Sequence, residues 1–419
     1  MYIARKIENK VKRVSKTFPI LMLTGPRQSG KTTLLENLAE AGRKYVSLDD
    51  PDDKMLAKEQ PVAFLERYSP PVIIDEIQYA PELLPYIKIY ADTHKQNGDF
   101  WLTGSQMFHM MKNVSESLAG RVGILNLFGL SNSEITGDLF GEYTTTPDQL
   151  LKRLEKAKPM TMPEIFKQIH KGGMPRLYKQ ADTDINEYFS SYVQTYISRD
   201  IRDLTQVADE LSFYRFLQVA AARTSSLVNY DVMAKETGVS APTIKHWLSV
   251  LISSGIVILI EPYFNNALKR IVKAPRMYFM DTGLAAFLTK WSNPEVLESG
   301  AMAGAFFETY VVSEIYKSFI NTGKTPPLFY LRDNNAKEID LIIWQDGTLY
   351  PIEIKKSSNP SESVRNFNAL DPVTRENTEE ASGHTKMIIG TGSIICTANN
   401  LRPAQRSTKD AWVVPVWLI

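Results

Sequence analysis

The chain has 419 residues, 43% hydrophobic and 23% charged, which excludes a disordered or fibrous protein and leaves room for two or three globular domains. Its 48 lysines and arginines against 47 aspartates and glutamates leave a net charge of +1, so any nucleic-acid contact must come from a local basic patch. The single cysteine, Cys396, excludes an intramolecular disulfide and a multi-cysteine metal site and is expected in the core.

Met1 to Lys16 is basic but lacks the apolar stretch and small-residue cleavage site of a signal peptide, and no apolar run approaches the roughly 20 residues that span a bilayer. A cytoplasmic protein with no membrane partner is expected. The first third then alternates short β-rich apolar runs (19–24, 45–48, 71–74 and 100–103) with helical patterns, which predicts a parallel sheet flanked by helices. The first run leads into Gly25-Pro26-Arg27-Gln28-Ser29-Gly30-Lys31-Thr32 and then Thr33, with a helical pattern opening at Lys31. This fulfils the phosphate-loop pattern G-x-x-x-x-G-K-[ST] in its proper place between strand and helix. The glycines let backbone N–H groups curl around phosphates, Lys31 supplies charge to the β- and γ-phosphates, and the Thr32 hydroxyl ligates Mg²⁺. ATP and Mg²⁺ are the expected cofactors.

The run Val72-Ile73-Ile74 ends in Asp75 and Glu76, as a buried central strand does when its C-terminal end faces a ligand. Asp75 is expected to hold the Mg²⁺ shell and Glu76 to orient and deprotonate the attacking water; for Glu76 the alternative is an acid that only favours a following helix. Phe100-Trp101-Leu102 closes on Thr103, Gly104 and Ser105. Thr103 or Ser105 would bond the γ-phosphate or the water, or the segment is a strand-ending turn. Arg121, closing Glu116-Ser117-Leu118-Ala119-Gly120, is the candidate to neutralise transition-state charge, in cis or across a subunit boundary. After Leu130, charged amphipathic patterns continue to about Leu204 and read as a helical extension.

Together these motifs resemble the AAA-type ATPases of bacteria and archaea, which commonly join an N-terminal ATPase to a C-terminal domain of unknown function, and the resemblance covers nearly the whole chain. It implies a helical lid in which a Gly-x-Pro touches the nucleotide. Gly173-Met174-Pro175 matches that element, with Arg176 and Arg199 as further lid candidates. It also implies that subunits can assemble into a homo-oligomer.

Asp231 to Gly238 reads as a short helix with an acidic N-cap, Val239-Ser240 as a turn, and Ala241 to Ser254 as a second helix with Pro242 in its first turn and Gly255 past its end. The β-branched run Ile256 to Ile260 follows, which suggests a winged helix-turn-helix. In a DNA-binding version Thr243, Lys245 and His246 would face a groove; the alternative is a packing or regulatory module.

Near the C-terminus Glu308 lies on an amphipathic helical pattern, Glu338-Ile339-Asp340 enters a strand, and Pro351-Ile352-Glu353-Ile354-Lys355 lies on the next, with Glu353 and Lys355 on one face. Asp340, Glu353 and Glu308 could converge on a second Mg²⁺ or Mn²⁺, with Lys355 stabilising charge during attack on a phosphodiester. This order resembles the PD-(D/E)xK nuclease fold of restriction endonucleases and Holliday-junction resolvases, although no proline directly precedes Asp340. The expected fold class is α/β: a P-loop NTPase parallel sheet (1–130), a helical lid (131–205), a winged helix-turn-helix (206–295) and a restriction-endonuclease-like α/β domain (296–419). The expected function is ATP binding and hydrolysis, acting on DNA as partner through the last two parts. The alternative is a nucleotide-dependent switch or scaffold whose nuclease-like domain binds without cutting.

Overall fold

Three strands buried along their whole length, Ile20–Thr24, Val72–Asp75 and Phe100–Gly104, form the centre of the N-terminal third. A computed structural model describes residues 2–104, 118–180, 182–196, 210–263, 274–332, 337–361, 365–370, 388–405 and 410–419. Helix α1 (Glu8–Thr17) buries Val11 and Val14 and leads into β1 (Ile20–Thr24), the phosphate-loop segment and α2 (Lys31–Leu38). Then come β2 (Lys44–Ser47), α3 (Pro51–Glu59), α4 (Pro61–Arg67), β3 (Val72–Asp75), α5 (Leu84–His94), β4 (Phe100–Gly104) and β5 (Val122–Asn126). The strands pair in parallel in the order β2-β3-β4-β1-β5. Alternation sends Ile20, Met22 and Ile74 into one hydrophobic cluster and Leu21, Leu23 and Ile73 into another on the opposite face, so the sheet is covered on both sides. Because every strand points the same way, the loop after β1, the carboxylate ending β3 and Thr103 of β4 meet along one edge.

The helical extension comprises α6 (Asn132–Thr136), α7 (Pro147–Leu154), α8 (Met162–Lys171), α9 (Pro175–Lys179) and α10 (Ile185–Tyr196), and α11 (Glu210–Ala222) follows beyond its expected end. Capping boxes at Ser131/Glu134 and Thr161/Glu164 start α6 and α8. The stretch from 197 to the expected end at Leu204 lies outside the described residues.

The middle segment forms β6 (Ser226–Leu227), α12 (Tyr230–Thr237), α13 (Ala241–Ser253), β7 (Val257–Pro262) and β8 (Arg276–Phe279). The expected acidic cap of α12 is corrected: Asn229, one residue before the helix, accepts the Val232 N–H at 3.0 Å, and Asp231 sits inside the first turn. Next are α14 (Thr282–Leu288), α15 (Pro294–Ser299), α16 (Ala303–Thr322), β9 (Leu328–Arg332), β10 (Glu338–Gln345), β11 (Thr348–Lys355), β12 (Ile388–Ile389), β13 (Gly392–Cys396), β14 (Arg402–Pro403) and β15 (Ala411–Pro415). Cys396 is buried.

The strands from both segments form one sheet, β14-β15-β13-β11-β10-β9-β7-β8-β6, joined where Glu261 and Pro262 of β7 pair in parallel with Phe329 and Tyr330 of β9. The boundary expected at 295/296 therefore does not interrupt the sheet. A single hydrophobic cluster likewise runs from Phe166 of α8 through Trp247 of α13 to Val312 of α16 and Ile354 of β11. Helix α16, expected to be amphipathic, is buried on nearly every side. Its second face is polar but meets protein: Glu314 accepts the Asn132 N–H at 2.8 Å, Lys317 donates to the Leu130 carbonyl at 3.0 Å, and Ser318 accepts the Tyr143 N–H at 2.9 Å. Among the described residues no helix is long and apolar enough to cross a membrane.

Candidate functional site

The phosphate-loop segment turns on backbone that only small residues tolerate well. Gly25 has φ +144°, and a Cβ there would run into the Leu127 carbonyl oxygen; Gly30 has φ +92° and caps α2, whose first N–H groups face the cleft. Gln28, also in the left-handed region at φ 59°, carries the strain of a non-glycine residue. Pro26, Arg27 and the buried Ser29 complete the loop, and Arg27 Nη2 lies 3.5 Å from the Tyr79 hydroxyl. Lys31 is buried and donates to the carbonyls of Gly25 and Pro26 at 3.1 and 2.9 Å.

Asp75 stands at the end of β3 among hydroxyl groups. Thr32 Oγ1 lies 3.0 Å from both of its carboxylate oxygens, Tyr45 donates to Oδ2 at 3.1 Å, and Thr103 Oγ1 donates to Oδ1. Burial, and then the Asp75 charge, push the Tyr45 phenol well above its ordinary value, so it stays a donor. The donor set fits the Mg²⁺ that the loop implies: hydroxyl and carboxylate oxygens are the hard ligands this ion takes, and the glycine cradle leaves room for phosphate oxygens. Glu76, at φ 55°, follows directly; its N–H donates to Thr103 Oγ1 at 3.3 Å and its carboxylate accepts from the Gln78 amide.

Residues of the helical extension border this edge. Gln28, Lys31, Thr32, Thr33 and Glu76 line a cleft of about 420 Å³ together with Pro175, Arg176 and Lys179 of α9. Pro175 Cγ comes within 3.8 Å of where a Gly30 Cβ would stand. A larger cleft of about 710 Å³ lies elsewhere, between α10, α11 and α14, and shares no residue with the loop.

Two site features depart from the sequence reading. Arg121 precedes β5 at the opposite, N-terminal edge of the sheet, where it is ion-paired with Asp92. A strand of five residues, roughly 15 Å, separates it from the cleft, so the cis role expected of it is not met. Arg5 was not anticipated: buried, it donates to the Ser29 carbonyl at 2.9 Å, to the Phe128 carbonyl at 2.7 Å and to Glu134 at 3.1 Å, tying the loop to α6. Burial of Glu134 opposes its charge, but Arg5 and two backbone N–H groups outweigh it and hold that carboxyl below its ordinary value. Ser105 and Arg199 lie outside the described residues.

A second cluster of acids forms in the C-terminal sheet. On the antiparallel β10–β11 ladder Leu341 pairs with Ile352, and Asp340 and Glu353 are the next residues along. Lys355 Nζ lies 2.8 Å from Glu353 and 3.7 Å from Asp340. Glu308 reaches the group from α16, and burial together with the Asp340 charge raises its pKa to about 7. The acids gather where the pattern puts them, but a side chain the pattern does not contain stands among them. Arg276 of β8 is 3.3 Å from Glu308, 2.8 Å from Glu338 and 3.9 Å from Asp340. Among the described residues no group of three or more His, Cys, Asp or Glu side chains is arranged to hold a metal. The second divalent ion expected at Glu308, Asp340 and Glu353 does not fit this arrangement.

On α13, Lys245 and His246 are exposed, while Thr243 is half-buried with its hydroxyl 2.7 Å from Ser240.

Matches to known families divide the chain: residues 17–136 match an AAA domain, 162–295 a Domain of unknown function (DUF8612) and 303–416 a Domain of unknown function (DUF4143). With the parallel five-stranded sheet, the first match makes the N-terminal part an AAA-type P-loop ATPase fold. The Uncharacterized proteins Rv2008c of Mycobacterium tuberculosis and Mb2031c of Mycobacterium bovis are similar to the chain at 27% identity over 363 residues, 86% of this chain and 76% of each of theirs. The walker-type ATPase paby2304 of Pyrococcus abyssi is similar over 68% of this chain and 94% of its own, at 15% identity and a TM-score of 0.43.

Proposed function

We propose that the protein hydrolyses ATP with Mg²⁺ and uses the resulting cycle to rearrange its appended C-terminal half. The observation that carries this is the meeting of the Thr32 hydroxyl and the Asp75 carboxylate at 3.0 Å, with Glu76 adjacent and Pro175 of the lid in the same cleft. Backbone N–H groups of the loop and the start of α2 bind phosphate oxygens. Lys31 turns from the Gly25 and Pro26 carbonyls to the β- and γ-phosphates. Thr32 and Asp75 would hold Mg²⁺, which would supply charge neutralisation to the phosphates. Glu76, oriented by Gln78, positions the attacking water and accepts its proton, while Thr103 fixes the Asp75 carboxylate. Arg176 and Lys179 bring positive charge to the cleft from the lid, which lets lid position follow phosphate occupancy. Assembly into a homo-oligomer belongs to the same proposal, because Arg121 could reach a phosphate only across a subunit boundary.

For the C-terminal half the presence of Arg276 among the acids favours the switch or scaffold reading, in which a nuclease-like arrangement binds DNA or protein without cutting. The winged helix-turn-helix assignment of the middle segment, and DNA contact through exposed Lys245 and His246, are part of that reading. One experiment addresses both halves: phosphate release from ATP by wild type and Glu76→Gln, each with and without duplex DNA. The variant should retain ATP binding and lose hydrolysis by about a hundredfold or more. Unchanged hydrolysis would remove Glu76 from the chemistry, and a wild-type rate indifferent to DNA would leave protein as the partner.

A further inference from the structure

The C-terminal acids stand where the residue pattern calls for a divalent cation, and a cation from the chain itself is among them. Arg276 is 8% exposed, and its guanidinium bonds Glu308 through Nη1 and Glu338 through Nη2, with Asp340 3.9 Å from Nη1. Lys355 approaches from the other side, on Glu353 and Asp340. Further hydrogen bonds fix each acid in place around the guanidinium. Glu308 Oε1 accepts the Tyr278 hydroxyl at 2.8 Å, Asp340 Oδ2 the Ile354 N–H at 2.8 Å, and Glu353 Oε1 the Asn366 amide at 3.3 Å. A divalent ion on oxygen ligands wants them converged at about 2.0–2.6 Å, whereas a guanidinium spreads the carboxylates along its fork.

Nor is Arg276 a surface side chain that could swing aside. Its guanidinium stacks 5.1 Å above the Tyr330 ring, which is itself anchored by a 2.6 Å bond from its hydroxyl to the Ala274 carbonyl, and its strand pairs on both sides, with β7 and β6.

We propose that Arg276 is a built-in replacement for the divalent cation, converting a nuclease-type acid site into a metal-independent ion network that clasps β8 to α16 and to the β10–β11 edge. The inference goes beyond the ATPase reading and does not rest on it, since no residue of the network touches the nucleotide cleft. Its consequence is that the C-terminal sheet keeps its structure, and any partner-binding role, in the absence of divalent ions, and that removing one side chain frees the acids for a divalent ion.

The test is Mn²⁺ binding to the full chain without nucleotide, followed by electron paramagnetic resonance of the free ion. Wild type and Asp340→Ala should bind the same amount. Arg276→Ala should gain one Mn²⁺ per chain, and the double variant with Asp340→Ala should lose it again. A wild-type protein that binds one Mn²⁺ more than Asp340→Ala, or a folded Arg276→Ala that gains none, overturns the proposal. Should Arg276→Ala not fold, thermal melting of wild type decides. Its melting temperature should respond to Mn²⁺ and to excess EDTA as that of Asp340→Asn does; a Mn²⁺-dependent rise seen only in wild type overturns the assignment.

Discussion

Asp75 and Asp340 both sit near strand ends beside a glutamate, and their surroundings differ in one respect that separates two kinds of site. Asp75 is held by the neutral hydroxyls of Thr32, Tyr45 and Thr103. Asp340 is held by a backbone N–H and by the charged groups of Lys355 and Arg276. Neutral donors orient a carboxylate and leave its charge to be used by an incoming cation; a guanidinium uses the charge up. Acids at the right spacing thus say where a cation belongs, and the donors around them say whether the protein has already supplied it.

The comparison breaks most visibly at the nucleotide cleft. Asp75→Asn should lower ATP hydrolysis by about 10²–10³-fold, the usual cost of removing one placed charge-stabilising group from a reacting centre, and the loss should be read as phosphate release across a Mg²⁺ titration. Asp340→Asn in the same assay should leave both the rate and the Mg²⁺ dependence where they are. An equal loss in the two variants would mean that the acid clusters are not separable in this way.

A smaller effect is expected at Arg276. Removing one partner from a buried ion network leaves the others unpaired, which costs about 3–5 kcal/mol. Urea unfolding of Arg276→Ala should show a loss of that order. A change no larger than that of an exposed pair would show the acids relaxing into solvent and the clasp to be unimportant.

Much of the first site was legible because its signals are local. The loop occupies consecutive residues, the strand Val72-Ile73-Ile74 is apolar because both faces are covered, and Gly173-Met174-Pro175 is a contiguous motif whose Gly173 N–H is taken by Asp281 at 2.9 Å. The residues that were missed act through distant partners. Arg5 meets Glu134 across 129 positions, and Arg276 meets Glu308 and Glu338 across 32 and 62. A lone arginine in a short strand or an N-terminal stretch carries no periodicity that would name such a partner. The same holds for the joint between β7 and β9, which rests on the pairing of Glu261 and Pro262 with Phe329 and Tyr330 and decides that two expected domains share one sheet. For Arg121 the motif left the choice between a role in cis and one across a subunit boundary open, and strand direction, which puts it at the edge opposite the cleft, bears on the cis alternative alone.

Counting charge in the C-terminal network leads to the finest prediction. Among the described residues the ion pairs of this network join four carboxylates, Glu308, Glu338, Asp340 and Glu353, to three cations, Arg276, Arg332 and Lys355, one negative charge more than positive. A proton on Glu308 balances it, consistent with that carboxyl rising from its ordinary 4.5 to about 7 through burial and the Asp340 charge. The folded protein therefore binds this proton more tightly than the unfolded chain does. Its contribution to stability is complete below about pH 4.5 and is lost as pH rises to about 7, with a slope approaching ~1.4 kcal/mol per pH unit. Glu308→Gln carries a permanent neutral group at that position, so the difference between wild-type and variant unfolding free energies should move against wild type across this window and level off above it. Parallel pH profiles would mean that the charge left over is neutralised by solvent, and that the network is more open than its contacts make it.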